Sequence, residues 1–341
     1  MTGGHDDRLR LSVVLPTLGN HEVLARVLDG YERQDVPAGS FEMIVVSDRA
    51  EPDVARVDAV IGERPYPVRR LTGRIAGASG NRNTGWGAAR APIVLFTDND
   101  TIPVPALVSE HLRSHAAHPE REVAVAGHVR WAPGIEVTPF MKWLDLGLQF
   151  DFASLPGTEG SWAHLYSANA SIKRTMLELV GGYDEERLPY LYEDADWAYR
   201  ALRHGLRVVY NRRAVVDHWR EMTVEVWQQR APMLAAAEWR FTQLHPELAP
   251  WYHEMFSRAA QWRRGRRRAR HLAAWVPRWV PGLGPFVWDR AGMSWLADIA
   301  PHFLAAWEQA ARGEPVSAQP DVEALLSERA SSGGSSPGGP K

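Results

Sequence analysis

The amino-acid sequence predicts an α/β fold in which a sheet with parallel strands is flanked by helices. Short apolar runs alternate with stretches of helical periodicity through the first hundred residues, as in strands joined by crossover helices. One run, residues 93–96, has four consecutive apolar residues and stops before two carboxylates, which is typical of a buried central strand. The chain has 341 residues, 45% of them hydrophobic, which is enough for one large or two smaller globular domains.

The elements follow from local pattern. Residues 21–33 are predicted as a helix because Val23, Leu24, Val27 and Leu28 recur at helical spacing, with Asn20 as the cap. The remaining predictions are strands at 11–15, 41–47, 68–71, 93–96, 122–129 and 215–219, and helices at 53–61, 106–115 and 193–204. Parallel pairing of the first strands predicts a nucleotide-binding half of Rossmann type.

The glycine signatures of dinucleotide enzymes and P-loop NTPases are missing after the first strand. A Gly-rich segment comes later, at residues 73–85. Glycine lets backbone approach a ligand closely, and Arg74 and Arg82 are suited to phosphate oxygens. A flexible surface loop is the alternative interpretation.

Asp98 and Asp100 follow the central strand, at the sheet edge where open α/β sheets bind ligands. Residues two apart in an extended chain point the same way, so the two carboxylates are suited to one hard cation. A strand-ending turn is the alternative. Because the chain has no cysteine, any metal would be held by oxygen or imidazole.

The order of motifs resembles that of the GT-A glycosyltransferases of family 2. The resemblance covers residues 10–220 and rests on segments containing Pro16-Thr17, Ser47-Asp48, Gly80-Asn81-Arg82-Asn83-Thr84-Gly85, Asp98-Asn99-Asp100, Ser167-Ala168-Asn169, Gly181-Gly182-Tyr183-Asp184 and Glu193-Asp194-Ala195-Asp196. Two positions depart from the family pattern. Ser47 stands where a second acid is common, and Asn99 stands between the two carboxylates.

The resemblance implies a mixed GT-A sheet flanked by helices and a metal-dependent inverting transfer from a nucleotide-diphosphate sugar, UDP first, to a hydroxyl acceptor. It implies that Mn²⁺ or Mg²⁺ is held by Asp100, with Asp98 and His218 as further ligands. The nucleotide contacts that it implies are Pro16, Thr17, Asp48, Arg82 and Asp98.

The same resemblance makes Asp194 the general base and Glu193 the residue that orients the acceptor. Capping of a helix start is the alternative role for these acids. For His218 the alternative is a structural role at a strand end.

The predicted organisation is a flexible N-terminus at 1–9, a nucleotide-sugar half at 10–130, an acceptor half at 131–225, a helical extension at 226–325 and a disordered tail at 326–341. The acceptor would be a polysaccharide, a lipid-linked sugar or a secondary metabolite. A sugar-nucleotide pyrophosphorylase and a non-catalytic sugar- or lipid-binding scaffold are the rival functions.

Residues 251–310 combine tryptophans with a basic run at 262–270. Three roles compete: peripheral contact with a membrane surface, a cap on the catalytic domain or on the second subunit of a homodimer, and nucleic-acid binding. The last is disfavoured because no nucleic-acid motif accompanies the charge. No apolar run is long enough to span a bilayer and no signal peptide is evident, which predicts a cytoplasmic protein, at the inner membrane face if the extension touches lipid.

Overall fold

A computed structural model describes residues 9–155, 157–262 and 268–316. The strands in these residues are β1 (Leu11–Thr17), β2 (Phe41–Ser47), β3 (Val68–Thr72), β4 (Ile93–Thr97), β5 (Thr101–Pro103), β6 (Val123–Trp131), β7 (Glu159–Gly160), β8 (Asn169–Lys173) and β9 (Arg207–His218). The helices are α1 (His21–Glu32), α2 (Val54–Ile61), α3 (Ala78–Gly87), α4 (Leu107–Ala117), α5 (Pro139–Leu144), α6 (Arg174–Val180), α7 (Glu193–Leu202), α8 (Val224–Leu244), α9 (Trp251–Ala260), α10 (Arg268–Ala273) and α11 (Leu283–Ala311).

All the described strands belong to one mixed sheet. Its order is β3-β2-β1-β4-β8-β6-β9-β5, and β7 also pairs with β9. The first four strands in that order are parallel, β8 is antiparallel to both β4 and β6, and β9 runs parallel to β6. The carboxyl ends of β1, β2 and β4 therefore lie at one edge of the sheet, as the sequence predicted.

Side-chain alternation along β1 divides the core into two layers. Val13 and Leu15 pack in the layer that contains α1, α2 and α4, whereas Val14 packs with α6 and α7 on the other face. Gly85 of α3 lies against this second face, where an added Cβ would be 2.3 Å from a methyl carbon of Val14. Glycine at this position lets α3 lie directly on the sheet.

Helices α8 to α11 form the helical C-terminal part and enclose a third apolar cluster, to which α5 contributes. Trp227, Trp288 and Trp295 are buried in this cluster, so these tryptophans serve packing. No helix in the described ranges has both the length and the apolar character needed to cross a membrane.

Several local predictions need correction. Asn20 adopts the left-handed conformation, with φ of 56°, and its side chain makes no capping bond to α1. Residues 78–87 form helix α3 with Arg82 buried, so most of the Gly-rich segment is not a surface loop. The last predicted strand is longer than expected, because β9 begins at Arg207 and bonds β6 along most of its length. The predicted tail, residues 1–8 and the arginines at 263–267 lie outside the described residues.

Candidate active site

The first part of the site is the edge where β1, β2 and β4 end. Pro16 is half-buried near the end of β1, Thr17 closes that strand, and the backbone carbonyl of Thr17 accepts a hydrogen bond from the backbone N–H of Asp48 at 2.8 Å. Asp98 follows the end of β4 in the same way. Four of the five predicted nucleotide contacts thus come from neighbouring parallel strands, as the topology requires.

The carboxylate of Asp48 is buried and strongly engaged. Its Oδ2 accepts hydrogen bonds from the backbone N–H of Gly77 at 2.8 Å and from Nδ2 of Asn81 at 2.6 Å, and its Oδ1 accepts one from the N–H of Ala50. These bonds hold the segment before α3 against the end of β2. Because three of about four acceptor positions of the Asp48 carboxylate are filled, it has little capacity left to bind a nucleobase.

Asn99 connects the two predicted nucleotide loops. Its Nδ2 donates to the hydroxyl of Thr17 at 3.1 Å and to the carbonyl oxygen of Gly19 at 3.4 Å. A carboxylate could not donate either bond, which gives the amide at this departure from the family pattern a physical role.

Asp100 and His218 meet because β5 pairs antiparallel with the end of β9, which sets Thr101 opposite His218. Nε2 of His218 lies 3.5 Å from Oδ2 of Asp100, and Arg220 lies 3.6 Å from the same oxygen. Burial favours the neutral acid, but the interactions of the carboxylate with His218 and Arg220 outweigh burial and lower the pKa of Asp100 to about 2. Asp100 is therefore a carboxylate at any physiological pH.

The ring of His218 is fixed by aromatic neighbours. Trp131 stacks on it with a centroid distance of 5.5 Å, and Phe150 approaches edge-on at 5.9 Å. Its Nδ1 is buried and has no hydrogen-bond partner in the described structure. The nitrogen that lies beside the carboxylate of Asp100 is the other one, Nε2, so a divalent cation held together with Asp100 would be bound by Nε2.

Asp98 does not join this pair. Its Oδ1 accepts a hydrogen bond from Arg82 at 2.7 Å, and the described residues contain no group of three or more His, Asp or Glu side chains placed to hold a metal ion. The predicted set of Asp98, Asp100 and His218 is thus not assembled by the protein alone. Only Asp100 and His218 converge, and further ligands would have to come from a substrate or water.

Arg82 joins the sheet edge to the start of α7. Its second guanidinium nitrogen donates to Oε1 of Glu193 at 2.5 Å, and the side chains of both residues are buried. The two carboxylates offset the burial of Arg82 and raise its pKa, so the guanidinium is charged. Arg82 was expected to touch the nucleotide. In the structure it faces Asp98 and Glu193 instead, and the nucleotide contact stays a prediction.

Glu193 and Asp194 lie at the N-terminus of α7. Oδ2 of Asp194 accepts from the backbone N–H of Ser167 at 3.2 Å, and Oδ1 accepts from the N–H of Ala195 at 2.8 Å. Burial raises the pKa of Asp194, whereas Arg82 opposes this effect. Burial and the neighbouring Asp194 raise the pKa of Glu193 to about 8. Of these two acids, Glu193 is therefore the one that tends to retain a proton near neutral pH.

Tyr192, which precedes this pair, has φ of 65°, an uncommon conformation for an aromatic residue. Its hydroxyl donates to Glu238 of α8 at 2.7 Å. The same carboxylate accepts the backbone N–H groups of Tyr252 and His253 at the start of α9. The helical C-terminal part therefore contacts the segment that presents the catalytic candidates.

Two arginine side chains at the site were not predicted from the sequence. Arg220 lies two residues beyond His218, so the alternation of an extended chain could have indicated it. Arg230 of α8 carries no local signal. Its charge acts on both Glu193 and Asp100, and burial together with Arg220 lowers its pKa.

Comparisons with known proteins agree with this geometry. A family model described as "Glycosyltransferase like family 2" matches residues 8–238. The chain belongs to glycosyltransferase family 2. This result confirms the family predicted from the motifs and excludes the pyrophosphorylase alternative.

Relatives of this glycosyltransferase include two validoxylamine A glucosyltransferases. Those of Streptomyces hygroscopicus subsp. limoneus and of subsp. jinggangensis strain 5008 are each 26% identical in an alignment of 280 residues that covers 70% of this chain. The match spans only 58% and 62% of the two relatives.

Solved structures show the same fold. The mannosyltransferase PcManGT from Pyrobaculum calidifontis, in complex with GDP-Man and Mn²⁺, has a TM-score of 0.52 at 19% identity, covering 95% of this chain and 80% of that one. S. aureus TarS 1-349 in complex with UDP has a TM-score of 0.50 at 14% identity, covering 90% and 92%. The predicted GT-A fold is confirmed.

Proposed function

We propose that this family 2 glycosyltransferase transfers a sugar from a nucleoside diphosphate, UDP in the first instance, to an acceptor hydroxyl, with inversion and with Mn²⁺ or Mg²⁺. The observation that carries the proposal is the convergence of acids from two segments and a histidine from a third at one sheet edge. Arg82 ties Asp98 to Glu193, next to Asp194, while β5 and β9 bring Asp100 to His218. The UDP bound to TarS and the GDP-Man and Mn²⁺ bound to PcManGT support this choice of ligands.

Asp100 and His218 would hold the cation, which when bound supplies Lewis-acid neutralisation of the departing diphosphate. Only two protein ligands are needed if diphosphate oxygens complete the shell, as is usual for Mg²⁺ sites. Arg220 and Arg230 add positive charge beside Asp100. Pro16, Thr17 and Asp48 would line the nucleotide.

Asp194 would act as the base. As the acceptor oxygen forms its bond to the anomeric carbon, its proton passes to a carboxylate oxygen of Asp194. The bond from that carbon to the diphosphate breaks on the opposite face, and its electron pair leaves with the nucleoside diphosphate. The raised pKa of Asp194 makes it a better proton acceptor than an exposed aspartate. Glu193, which is bonded to Arg82, would keep Asp194 in place.

A calorimetric titration tests donor and metal binding together. UDP is titrated with and without Mn²⁺ into the wild type, into Asp100→Asn and into Asp217→Asn as a control. Asp217 is also a carboxylate on this part of β9, but it pairs with Arg130 on the surface. We expect Mn²⁺ to strengthen UDP binding in the wild type and the control but not in Asp100→Asn. Metal-independent binding in all three proteins would contradict the metal site.

A second experiment separates chemistry from binding. Asp194→Asn should bind UDP as the wild type does but transfer sugar about 10²- to 10⁴-fold more slowly, the usual loss for a general base. NMR of the product should show an anomeric configuration opposite to that of the donor. If neither transfer nor hydrolysis of any sugar nucleotide occurs, the non-catalytic scaffold becomes the better hypothesis.

The site of action is part of the same proposal. We place the enzyme in the cytoplasm, with residues 251–310 as the part that meets a membrane or, in a homodimer, a second copy. The sugar and the acceptor would be chosen by residues 131–225, where Phe150 and Tyr166 form an edge-to-face pair beside His218.

A further inference from the structure

A second surface on this chain lies between α10 and α11. Five large hydrophobic side chains are exposed there: Leu272, Trp275, Trp279, Leu283 and Phe286, which we call the aromatic wedge. They are half of all the exposed large hydrophobic side chains in the described part of the chain. Trp275 and Trp279 are 85% and 81% exposed, whereas Trp227 and Trp295 of the same helical part are buried. A cluster of this kind marks an interaction site.

The wedge is held in shape by the protein. The indole N–H of Trp288 donates to the carbonyl of Val276 at 2.8 Å, between the two exposed tryptophans. Gly284 packs so tightly on the turn that an added Cβ would be 2.3 Å from the carbonyl oxygen of Arg278. Backbone bonds from Val280 to Pro277 and from Gly284 to Val280 close the turn. The tryptophans are thus presented by a packed turn.

The sequence that contains the wedge is strongly basic. Residues 258–290 contain nine arginines, one aspartate and no lysine or glutamate, although the whole chain has a formal net charge of -2. A groove of about 370 Å³ beside Trp275 is lined by Lys142 and Arg278 together with Leu146 and Trp288. The groove therefore offers an apolar wall and two cations, the combination that an anionic lipid headgroup and its chain would fill.

We propose that the aromatic wedge is a docking surface for an anionic lipid bilayer. Exposed tryptophans prefer the boundary between headgroups and acyl chains, and nearby arginines are attracted by anionic headgroups. A protein partner would require apolar and acidic surface in one place, whereas an anionic bilayer supplies both everywhere. The proposal goes beyond the transfer reaction and does not depend on it.

Vesicle co-sedimentation of the full chain tests this. The protein is mixed with vesicles of phosphatidylcholine alone, or of equal parts phosphatidylcholine and phosphatidylglycerol. We expect binding to the anionic vesicles only. The double variant Trp275→Ala/Trp279→Ala should lose at least about tenfold in affinity, and Arg278→Glu about fivefold or more. The control is Leu202→Ala, because Leu202 is 40% exposed outside residues 251–310 and should not matter.

The variants should fold, since the two indoles lie largely in solvent, and an unchanged thermal midpoint verifies this. Equal binding to both vesicle types, or equal binding of the double variant and the wild type, would overturn the proposal. So would a dimer in sedimentation velocity that the double variant abolishes, because the wedge would then belong to a second copy. Donor hydrolysis in the absence of vesicles should be the same in wild type and double variant, which separates this test from that of the proposed function.

Discussion

Replacing Arg82 by methionine should test the charge cluster at the centre of the site. Methionine has a similar reach but donates no hydrogen bond. The change would leave Asp98 and Glu193 without the guanidinium that they share. It would also remove a charge that favours the carboxylate form of Asp194.

The size of the effect follows from burial. The Arg82 and Glu193 side chains are 5% and 7% exposed, and breaking a buried pair by removing one partner costs about 3–5 kcal/mol. Asp98 is 34% exposed, so water screens it and its bond to Arg82 should add at most about 1 kcal/mol. We therefore expect the free energy of unfolding to fall by about 3–5 kcal/mol, mostly through Glu193, at pH values above about 8, where Glu193 is ionised in the wild type.

Urea denaturation at several pH values is the assay. Without Arg82 the pKa of Glu193 should rise beyond about 8, because Arg82 lowers it in the wild type. A carboxyl whose pKa is raised on folding binds protons more tightly in the folded state, so stability falls as pH rises from about 4.5 through about 8. The deficit of Arg82→Met should thus be nearly constant while Glu193 is protonated in both proteins and should grow as pH rises above about 8.

Two further variants make the test decisive. Glu193→Gln in the Arg82→Met background removes the uncompensated charge and should recover more than about 1 kcal/mol, which is a measurable coupling. Arg187→Met, which removes a surface pair with Asp184, should leave stability almost unchanged because Arg187 is 63% exposed. A loss in Arg82→Met no larger than in Arg187→Met, or a double variant less stable than Arg82→Met alone, would refute the reasoning.

Three more predictions follow from packing and geometry. Gly85→Ala should lower the free energy of unfolding by about 1–3 kcal/mol, because the new methyl group would lie 2.3 Å from a methyl carbon of Val14 in β1. Gly87→Ala is the control: no atom lies within 4 Å of the new methyl group, so thermal melts should show unchanged or slightly higher stability. Tyr192→Phe removes the hydroxyl that bonds Glu238 at 2.7 Å, so steady-state assays should show a lower kcat with donor KM nearly unchanged. Because burial raises the pKa of Asp194, a plot of kcat against pH should rise on its acidic side with an apparent pKa above 3.8. An apparent pKa at or below 3.8 would mean that another residue is the base.

Much of the fold follows from local sequence pattern. The apolar runs that form β1, β2 and β4 and the periodicity of α1 were sufficient to predict parallel strands with helices between them, and the topology then put Thr17, Asp48 and Asp98 at one edge. Where prediction failed, a local rule was overridden by packing. The glycines in residues 78–87 are typical of a loop, but these residues form helix α3. Glycine is needed at position 85 because α3 lies directly on the sheet there.

The partners of the site residues could not be predicted in the same way. Asp100 meets His218 through β5, a strand of only three residues that no periodicity reveals. Arg82 was assigned to phosphate from its residue type, and its actual partners lie 16 and 111 residues away. Arg230 reaches the site from α8, outside the region that carries the motifs.

The sequence by itself determined the family, the order of the strands and helices, and the identity of the acids, because apolar periodicity and motif order are local properties that survive without coordinates. Only the tertiary structure decided which acid faces which cation. It also decided that Trp275, Trp279 and Phe286 form a solvent-facing wedge with two leucines, while other aromatic side chains near the C-terminus form a core. Those outcomes depend on contacts between segments far apart in the chain, and burial and charge at such contacts set the pKa values from which the chemistry follows.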